Sequence, residues 1–275
     1  MVTQTAISSV GRNGLEGKVA IITGGDQGIG RAIALRLAAE GADIAFCYRS
    51  NRAGAEEVAG QIRNGAAGAP AGIDRRVLAL QADVSDTAQA RHFVETAFAR
   101  LGAADILVNN AGLERRADFW DVTEQDYDLV LNVNLKGVFF TTQAVVRHWR
   151  ATKRRGKIVN ISSVHEELPF PHFASYCASK GGLKMLTRNL AIELAPYGIT
   201  INNIAPGAIE TPINKALLND PAKLKPLLEN IPLKRLGISD DVAGVTAFLA
   251  SADADYITGT TVFVDGGLLW SYEEQ

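Results

Sequence analysis

The stretch Thr23-Gly24-Gly25-Asp26-Gln27-Gly28-Ile29-Gly30 decides the fold of this chain more than any other. It follows a β-branched run and opens a helical pattern in which Ile29, Ile33 and Leu37 share one face. Glycines here let the backbone turn sharply and approach a pyrophosphate, which then meets the unpaired N–H groups at the start of a helix. A glycine-rich turn alone is a weak signal. Its position between a strand and a helix, however, favours dinucleotide binding over an ordinary loop.

Outward from this turn, short β-branched runs alternate with longer amphipathic segments, which is typical of a parallel sheet covered by helices. The predicted strands are Lys18–Thr23, Asp43–Tyr48, Val77–Ala82, Ile106–Asn109, Lys157–Ile161, Thr200–Ile204 and Thr261–Val264. Further helices are predicted around Asp86–Leu101 with Ser85 as its N-cap, Glu124–Arg150, Ser175–Ala195 and Asp240–Ala250. We therefore expect a single-domain α/β fold of the Rossmann type, with a doubly wound parallel seven-stranded sheet and helices on both faces. Residues 1–14 are expected to form a flexible extension.

Composition narrows the possible partners. Lys and Arg number 28 against 30 Asp and Glu, so the formal charge of -2 gives no attraction to nucleic acid or to an anionic membrane. Cys47 and Cys177 form no C-x-x-C pair, and the four histidines have no metal-ligand spacing, so no metal is expected. The chain shows neither a secretory signal nor a long apolar run. We expect a cytoplasmic protein without a membrane partner.

The end of the second strand indicates which dinucleotide fits. NAD enzymes usually place a carboxylate there for the ribose 2′-hydroxyl, but this chain has Tyr48-Arg49-Ser50. Arg49 can form a charge-assisted contact with a 2′-phosphate and Ser50 can donate a hydrogen bond, which favours NADP. The alternative is that Arg49 is a solvated loop residue. Asp83, at the end of the third strand, suits an adenine amino group or the cap of the next helix.

Tyr176 and Lys180 are four residues apart in a predicted helix, so they share one helix face. A tyrosine pKa near 10 must fall by about three units for acid/base work at neutral pH, which requires roughly 4 kcal/mol. One cation about 4 Å away at an effective dielectric near 20 supplies energy of that order. The pair can therefore act in catalysis, although on its own such a pair is more often a surface contact.

The motifs around this pair favour the catalytic interpretation over a surface contact. Thr23–Gly30, Asn109-Asn110-Ala111-Gly112, Ser163, Tyr176/Lys180 and Pro206-Gly207 occur in the order of the T-G-x-x-x-G-x-G, N-N-A-G, Ser, Y-x-x-x-K and P-G elements. Ser163 precedes Tyr176 by 13 residues. From Leu15 to Gly267 the chain resembles the short-chain dehydrogenase/reductase family.

That resemblance implies catalytic roles for Asn134, Ser163, Tyr176 and Lys180. Tyr176 would transfer the proton and Ser163 would hydrogen-bond the reacting oxygen. Lys180 would lower the tyrosine pKa and bind the nicotinamide ribose, while Asn134 would hold a proton-relay water. The implied cofactor is NADP(H), with NAD(H) possible. Its binding residues would be Thr23, Gly24, Gln27, Gly28, Ile29, Gly30, Tyr48, Arg49, Ser50, Asp83, Val84, Asn110, Ala111, Gly112, Tyr176, Lys180, Pro206, Gly207, Ile209 and Thr211.

Two other classes of function compete. Ser163 with His165 nearby suggests a hydrolase, but the G-x-S-x-G elbow is absent. A non-catalytic nucleotide sensor on the same fold would keep Thr23–Gly30 without needing Ser163, Tyr176 and Lys180 together. All three are present, which favours an enzyme.

Within the family the chain resembles bacterial glucose 1-dehydrogenases. The similarity rests on Gly112-Leu113-Glu114, Ser162-Ser163-Val164-His165-Glu166 followed by Pro169-Phe170-Pro171, and Pro206 to Asn214. It implies a sugar or polyol substrate held by Glu114, Ser163, His165, Tyr176 and Asn214 beneath a lid at residues 213–232. The alternative is that Glu114 and His165 stabilise loops. Arg115-Arg116 depart from the expected pattern and suit an anionic substrate, so a 3-oxoacyl-carrier-protein reductase or a broader ketone reductase is the alternative.

The C-terminal segment is apolar for a terminus. Leu268, Leu269 and Trp270 would be explained by burial against another subunit, and the resemblance implies a homotetramer. Their burial on the chain's own core is the competing interpretation.

Overall fold

The computed structural model describes residues 14–65, 75–211 and 220–271, and these residues form the predicted sheet. Its strands are β1 (Val19–Thr23), β2 (Asp43–Tyr48), β3 (Val77–Gln81), β4 (Ile106–Asn109), β5 (Gly156–Ile161), β6 (Ile199–Pro206) and β7 (Thr261–Val264). All neighbours pair in parallel, in the order β3-β2-β1-β4-β5-β6-β7. The predicted seven-stranded α/β fold is therefore confirmed, with strand limits within two residues of the prediction.

Helices cover both faces of this sheet. They are α1 (Gly28–Ala39), α2 (Arg52–Arg63), α3 (Thr87–Leu101), α4 (Glu124–Leu131), α5 (Val138–Ala151), α6 (Ala174–Leu194), α7 (Pro221–Asn230) and α8 (Ser239–Ala250). Sequence reasoning did not predict α2 or α7. In α2 the buried residues Ala55, Val58, Ala59 and Ile62 follow helical spacing. Two of the four are alanines, so the apolar stripe is weak in the sequence.

Alternation along the strands divides the interior into two cores. In β1, Ala20 and Ile22 point to the core beneath α1, α2 and α8, whereas Val19 and Ile21 point to the core beneath α3, α5 and α6. Successive side chains of a strand face opposite sides, so a strand covered on both faces is apolar throughout. This pattern explains why β1 is buried at every position.

The start of α3 corrects one predicted cap. Asp86, not Ser85, is the N-cap, and its carboxylate accepts from the N–H groups of Ala88 and Gln89. Ser85 instead donates to Asp83 from both its backbone N–H and its hydroxyl.

The predicted helix Glu124–Arg150 contains a break. Between α4 and α5, residues Asn132–Gly137 form a π-helical turn. At Gly137 a Cβ atom would lie 2.7 Å from the carbonyl oxygen of Val84, so the helix approaches the turn after β3 closely there. Such π turns widen a helix by one residue per turn and often occur at functional sites.

Taken as one segment, Glu124–Ala151 is long and apolar enough, by length and composition only, to cross a membrane. Its contacts are those of a core helix. Val145 and Trp149 are fully buried on the sheet, and the Trp149 indole donates to the carbonyl of Ala104 at 2.7 Å. Burial inside the protein accounts for its hydrophobicity.

Candidate active site

The candidate site lies at the carboxyl-terminal edge of the sheet, beside the boundary between β1 and β4. The helix after β1 packs on one face of the sheet, and the helices after β4 pack on the other. The connections therefore diverge and open a crevice, which is where open α/β sheets bind ligands. The predicted motifs that follow β1, β4, β5 and β6 all reach this edge.

Hydrogen bonds join the glycine-rich turn to the turn after β4. The Thr23 hydroxyl accepts from the backbone N–H groups of Asn110 and Ala111, each at 3.0 Å. The Asn110 side-chain amide donates to the carbonyl groups of Thr23 and Gly24, at 3.0 and 2.8 Å. The side chains of Thr23 and Asn110 thus hold the two turns together.

The glycine-rich turn has the features that a phosphate group requires. A Cβ atom at Gly30 would collide with the carbonyl of Gly24, so α1 packs tightly against the turn. The side chain of Gln27 caps no N–H of α1, and the first helical turn has no acidic residue. Among the residues that the structure describes, the N–H groups of Gln27, Gly28 and Ile29 have no acceptor, and they lie at the positive end of the helix dipole, which fits a dinucleotide pyrophosphate.

The end of β2 is open and cationic. Arg49 and Ser50 are exposed and Tyr48 is half-buried. Arg49 accepts a bond from Gln81 through its carbonyl, at 2.9 Å, and within the described ranges its guanidinium has no hydrogen bond or ion pair. A free cation at this position fits a 2′-phosphate.

Other predicted cofactor residues have different surroundings. Val84 and Ile209 are 6% and 3% exposed and belong to the core, so their side chains offer a ligand little surface. One carboxylate oxygen of Asp83 accepts from the Ser85 hydroxyl at 2.7 Å and from the Ser85 N–H at 2.9 Å, which favours a role in stabilising the turn. The other predicted cofactor residues at the carboxyl end of β6 are Pro206, Gly207 and Thr211. Gly207 bonds through its N–H to the carbonyl of Val264 at 3.0 Å.

Ser163, Tyr176 and Lys180 converge above β5. The Ser163 side chain is near enough to the Tyr176 phenol to lower its pKa. The Lys180 ammonium lies 5.6 Å from the centre of the Tyr176 ring and donates to the carbonyl of Ile161 at 2.9 Å. A Cβ atom on Gly112 would be 3.8 Å from the Lys180 nitrogen, so the turn after β4 borders the same group.

The pKa values correct one expectation. Burial raises the pKa of Tyr176 to about 12, and the charge of Glu114 adds to this, while Ser163 opposes it. Burial also lowers the pKa of Lys180 to about 8. The predicted lowering of the tyrosine pKa by Lys180 is therefore not found in the protein alone. Desolvation exceeds the effect of a cation that bonds to a carbonyl rather than to the phenol.

The fully buried Asn134 sits in the π turn and joins three elements. Its amide oxygen accepts from the Leu113 N–H at 2.9 Å. Its nitrogen donates to the Leu113 carbonyl at 2.8 Å and to the Ser179 hydroxyl at 3.1 Å. Both amide hydrogens are used, so this nitrogen has none left for a relay water. The relay role of Asn134 stays a prediction.

The site and fold can now be compared with known proteins. The family model described as "Enoyl-(Acyl carrier protein) reductase" matches residues 24–269, which include all of the motifs above except Thr23. A curated relative, 3beta-hydroxysteroid dehydrogenase 1 of Eggerthella lenta, is 43% identical over 254 residues, or 92% of this chain and 94% of the relative. This chain belongs to the short-chain dehydrogenase/reductase family.

Other members of this family are similar across nearly their whole length. Glucose 1-dehydrogenase of Gluconobacter oxydans is 38% identical over 258 residues, covering 92% of each chain. A gluconate 5-dehydrogenase from Burkholderia cenocepacia J2315, solved in complex with NADP and tartrate, superposes with a TM-score of 0.87. It is 41% identical, and the alignment covers 95% of this chain and 99% of that one. The chain is accordingly an oxidoreductase of the short-chain dehydrogenase/reductase family.

Two of the predicted substrate residues lie beside Tyr176 in this short-chain dehydrogenase/reductase. The His165 ring is 6.3 Å from the Tyr176 ring, and its Nδ1 is 3.0 Å from the Leu168 carbonyl. A carbonyl only accepts, so Nδ1 carries the proton and Nε2 is an acceptor. Burial lowers the pKa of His165 and raises the pKa of Glu114. Asn214 and residues 213–219 of the predicted lid lie outside the described residues.

Sequence reasoning gave no role to the buried polar side chains beneath the site. Asn160 and Asn203 lie inside β5 and β6 and are at most 1% exposed, and Glu166 is 8% exposed. The available signal was an asparagine within an apolar strand, since an amide inside a sheet must find partners. The partners lie far apart in sequence, so the pattern alone did not identify them.

Proposed function

We propose that this protein interconverts a secondary alcohol of a sugar or polyol with its carbonyl compound, with NADP(H) preferred and NAD(H) accepted. The observation that carries the proposal is the convergence of Ser163, Tyr176 and the Lys180 ammonium, which lies 5.6 Å from the centre of the Tyr176 ring. These groups lie on the same sheet edge as the uncapped start of α1. A proton-transfer group next to a dinucleotide cradle is what alcohol oxidation requires.

In the oxidative direction the Tyr176 oxygen takes the hydroxyl proton while Ser163 hydrogen-bonds the substrate oxygen. The bound nicotinamide supplies the hydride acceptor. In reduction Tyr176 returns the proton to the same oxygen. The burial that raises the pKa of Tyr176 also keeps the phenol protonated at neutral pH, which suits the reductive direction. Ser163, which lowers the Tyr176 pKa, favours the phenolate needed for oxidation.

The cofactor preference rests on Arg49. The end of β2 has no carboxylate to repel a 2′-phosphate, and the exposed guanidinium is free to bind one. The gluconate 5-dehydrogenase at 41% identity was solved with NADP, which supports the same assignment. A ribose hydroxyl also fits beside Ser50, so NAD(H) is expected to bind. It should bind less tightly than NADP(H), because it lacks the 2′-phosphate.

The substrate proposal rests on Glu114 and His165. Both side chains are polar and partly buried near Tyr176. The His165 Nε2 and the Glu114 carboxyl group can accept hydrogen bonds from hydroxyl groups on carbons next to the reacting one. The similarity to glucose 1-dehydrogenase of Gluconobacter oxydans supports this class. Asn214 and the segment 213–232 would complete the pocket.

A hydroxysteroid-like, fused-ring alcohol is the second candidate. The rings of His165 and Phe170 stack at 4.1 Å, and those of Phe170 and Phe173 at 4.0 Å, so an apolar aromatic stack adjoins the site. The Eggerthella lenta relative is named for such a substrate. An anionic acyl-carrier substrate has less support, because Arg115 pairs with Asp126 at 3.4 Å.

A homotetramer in the cytoplasm remains part of the proposal. Trp270 is 73% exposed, so it does not pack on its own core, and Met185 and Ile192 of α6 are 62% and 79% exposed. Two separate apolar surfaces suit the two kinds of twofold interface in a tetramer.

The test follows reduced cofactor by absorbance, with NAD or NADP as oxidant. Parallel reactions contain D-glucose, gluconate and a 3β-hydroxysteroid, and acetoacetyl thioester with NADPH tests the acyl alternative. Tyr176→Phe should reduce kcat by about 10²- to 10⁴-fold, the usual size of an acid/base contribution. Tyr197→Phe is the control, because Tyr197 is 44% exposed and stacks on Arg150 instead. Full activity of Tyr176→Phe would refute the proposed chemistry.

A further inference from the structure

A row of hydrogen-bonded polar side chains crosses the sheet beneath the site. Asn109 of β4 donates to Asn160 of β5 at 2.8 Å, and the Asn160 amide donates to Asn203 of β6 at 3.3 Å. Asn203 donates to Glu166 at 3.2 Å, and Thr261 of β7 donates to the same carboxylate at 2.7 Å. The row therefore joins four strands and ends at one buried acid.

Glu166 is held as an acceptor. Its Oε2 accepts from the Asn203 amide and its Oε1 accepts from the Thr261 hydroxyl, so each oxygen has a neutral donor. Only 8% of the residue is exposed. Neutral donors satisfy the lone pairs but do not balance the charge, and a buried charge without an opposite charge is costly.

Lys180 is the complementary case. It is 4% exposed, and among the described residues its ammonium donates a hydrogen bond only to the neutral carbonyl of Ile161. Burial lowers its pKa, and Glu166 is the group whose charge opposes this and raises it. Lys180 bonds to the carbonyl of Ile161 in β5, and Glu166 bonds to the side chain of Asn203 in β6. Ile161 pairs with Ile204, the residue after Asn203, so the groups that anchor the two charged side chains lie at adjoining positions of neighbouring strands.

We infer that Glu166 is a positioning residue whose buried carboxylate keeps Lys180 in its ammonium form next to Tyr176, with Asn203 and Thr261 holding the carboxylate in place. The inference rests on the proposed function for its effect on turnover, but the charge coupling itself does not.

Other titratable groups face the same place. Tyr176 and Cys177 belong to α6, His165 precedes Glu166, and Glu114 approaches Tyr176 from the turn after β4. Of these, the charge of Glu114 raises the pKa of Tyr176, whereas the charge of Glu166 raises the pKa of Lys180. The two acids therefore have separable effects on the pH dependence.

The experiment observes Lys180 directly. The full-length protein is produced with ¹³C-ε-lysine, and the Lys180 signal, assigned by its loss in Lys180→Arg, is titrated by NMR from pH 6 to 11. Glu166→Gln removes the charge and can keep both hydrogen bonds, since its carbonyl accepts from Asn203 and its amide donates to the Thr261 oxygen. Thr261→Val is the matched control, which removes one bond and keeps the charge.

In Glu166→Gln we expect Lys180 to titrate about one pH unit lower, and in Thr261→Val within about 0.3 units of the wild type. The alkaline limb of kcat/KM should move down by the same amount in Glu166→Gln only. Unchanged titration would overturn the inference. A shift in titration without a shift in the rate profile would also overturn it, leaving Glu166 a structural residue.

Two further measurements keep the test decisive. If Glu166→Gln fails to fold by circular dichroism, Glu166→Asp retains the charge, and Lys180 should then titrate nearer to the wild-type value than in any folded charge-free variant such as Glu166→Leu. Equal titration in both would contradict the inference. If the wild type oxidises no alcohol, the proposed function fails while the Lys180 titration still decides the coupling.

Discussion

At the scale of single residues, the site depends on where charge is buried and where it is left free. Lys180 and Glu166 are buried beneath the crevice, whereas Arg49 is exposed at its rim. Buried groups change pKa and affect stability, while exposed ones bind ions from solution with little effect on the fold. Arg49 and Lys180 therefore allow separate tests of binding and of stability.

Arg49→Ala should raise the KM for NADP by about tenfold or more and leave the KM for NAD nearly unchanged, because only NADP has the 2′-phosphate that a guanidinium binds. Initial-rate kinetics with each cofactor measure this. Arg52→Ala is the control, since Arg52 is equally exposed but pairs with Glu56 at 2.7 Å. Equal losses for both cofactors in Arg49→Ala would make Arg49 a general surface cation.

Lys180→Met should make the protein more stable at neutral pH, although the substitution removes the ammonium that Lys180 contributes to the site. The pKa of Lys180 is about 8 in the fold and 10.5 ordinarily, so the unfolded chain binds this proton more tightly. The buried ammonium therefore destabilises the wild type below about pH 8. This cost disappears as the pH rises from about 8 to 10.5. Allowing for the lost bond to Ile161, we expect a gain of about 2 kcal/mol in unfolding free energy at pH 7.

Urea unfolding at pH 7 and pH 10 measures this difference, which should shrink at the higher pH. Lys184→Met is the control on the next turn of α6, where the ammonium pairs with Glu167 at 2.6 Å. A loss of stability in Lys180→Met at both pH values would show that the buried ammonium stabilises the fold.

At the scale of elements, the break between α4 and α5 has a steric and a functional side. The π turn places Asn134 so that it joins Leu113 to Ser179, and it brings Gly137 against the turn after β3. The same turn therefore connects the cofactor side of the crevice with the start of the tyrosine helix.

Gly137→Ala should destabilise the protein by about 2 kcal/mol, because the added Cβ would lie 2.7 Å from the Val84 carbonyl and force a shift. Gly181→Ala, within α6, is the matched control. A Cβ there meets nothing within 4 Å, so the change should stabilise by up to about 1 kcal/mol. Thermal unfolding of both variants tests this, and opposite signs are expected. Stabilisation by Gly137→Ala would mean that the close approach is not needed.

At the scale of the whole molecule, the two cores fill the space under both layers of helices and leave separate apolar side chains outside. Trp270 follows β7, while Met185 and Ile192 lie on α6. Isolated exposed apolar residues are common, but a tryptophan that is 73% exposed near the chain end suits an interface.

Trp270→Ser should therefore lower the oligomeric state from the proposed tetramer to a dimer, as light scattering after size exclusion would measure against the 29.4 kDa chain. Tyr256→Ser is the control, because Tyr256 is a fully exposed aromatic residue that follows α8 instead. A monomeric wild type, or an unchanged mass in Trp270→Ser, would contradict this interface.

The sequence by itself determined the order of strands and helices and the place of the glycine turn. Local periodicity carries that information, because β-strands buried on both faces and helices with one apolar face have different repeats. The identities of Thr23–Gly30, Ser163, Tyr176 and Lys180 were likewise readable, since each motif has a characteristic spacing. The helix α2 escaped because its buried face is partly alanine.

Only the tertiary structure decided how the charges at the site behave. The spacing of Tyr176 and Lys180 predicts a lowered tyrosine pKa, but burial from several elements raises it to about 12. The partners of Asn134 and Glu166 are 21 to 95 residues away in sequence. Desolvation and long-range hydrogen bonds depend on the packed arrangement of all these elements, and no local pattern records them.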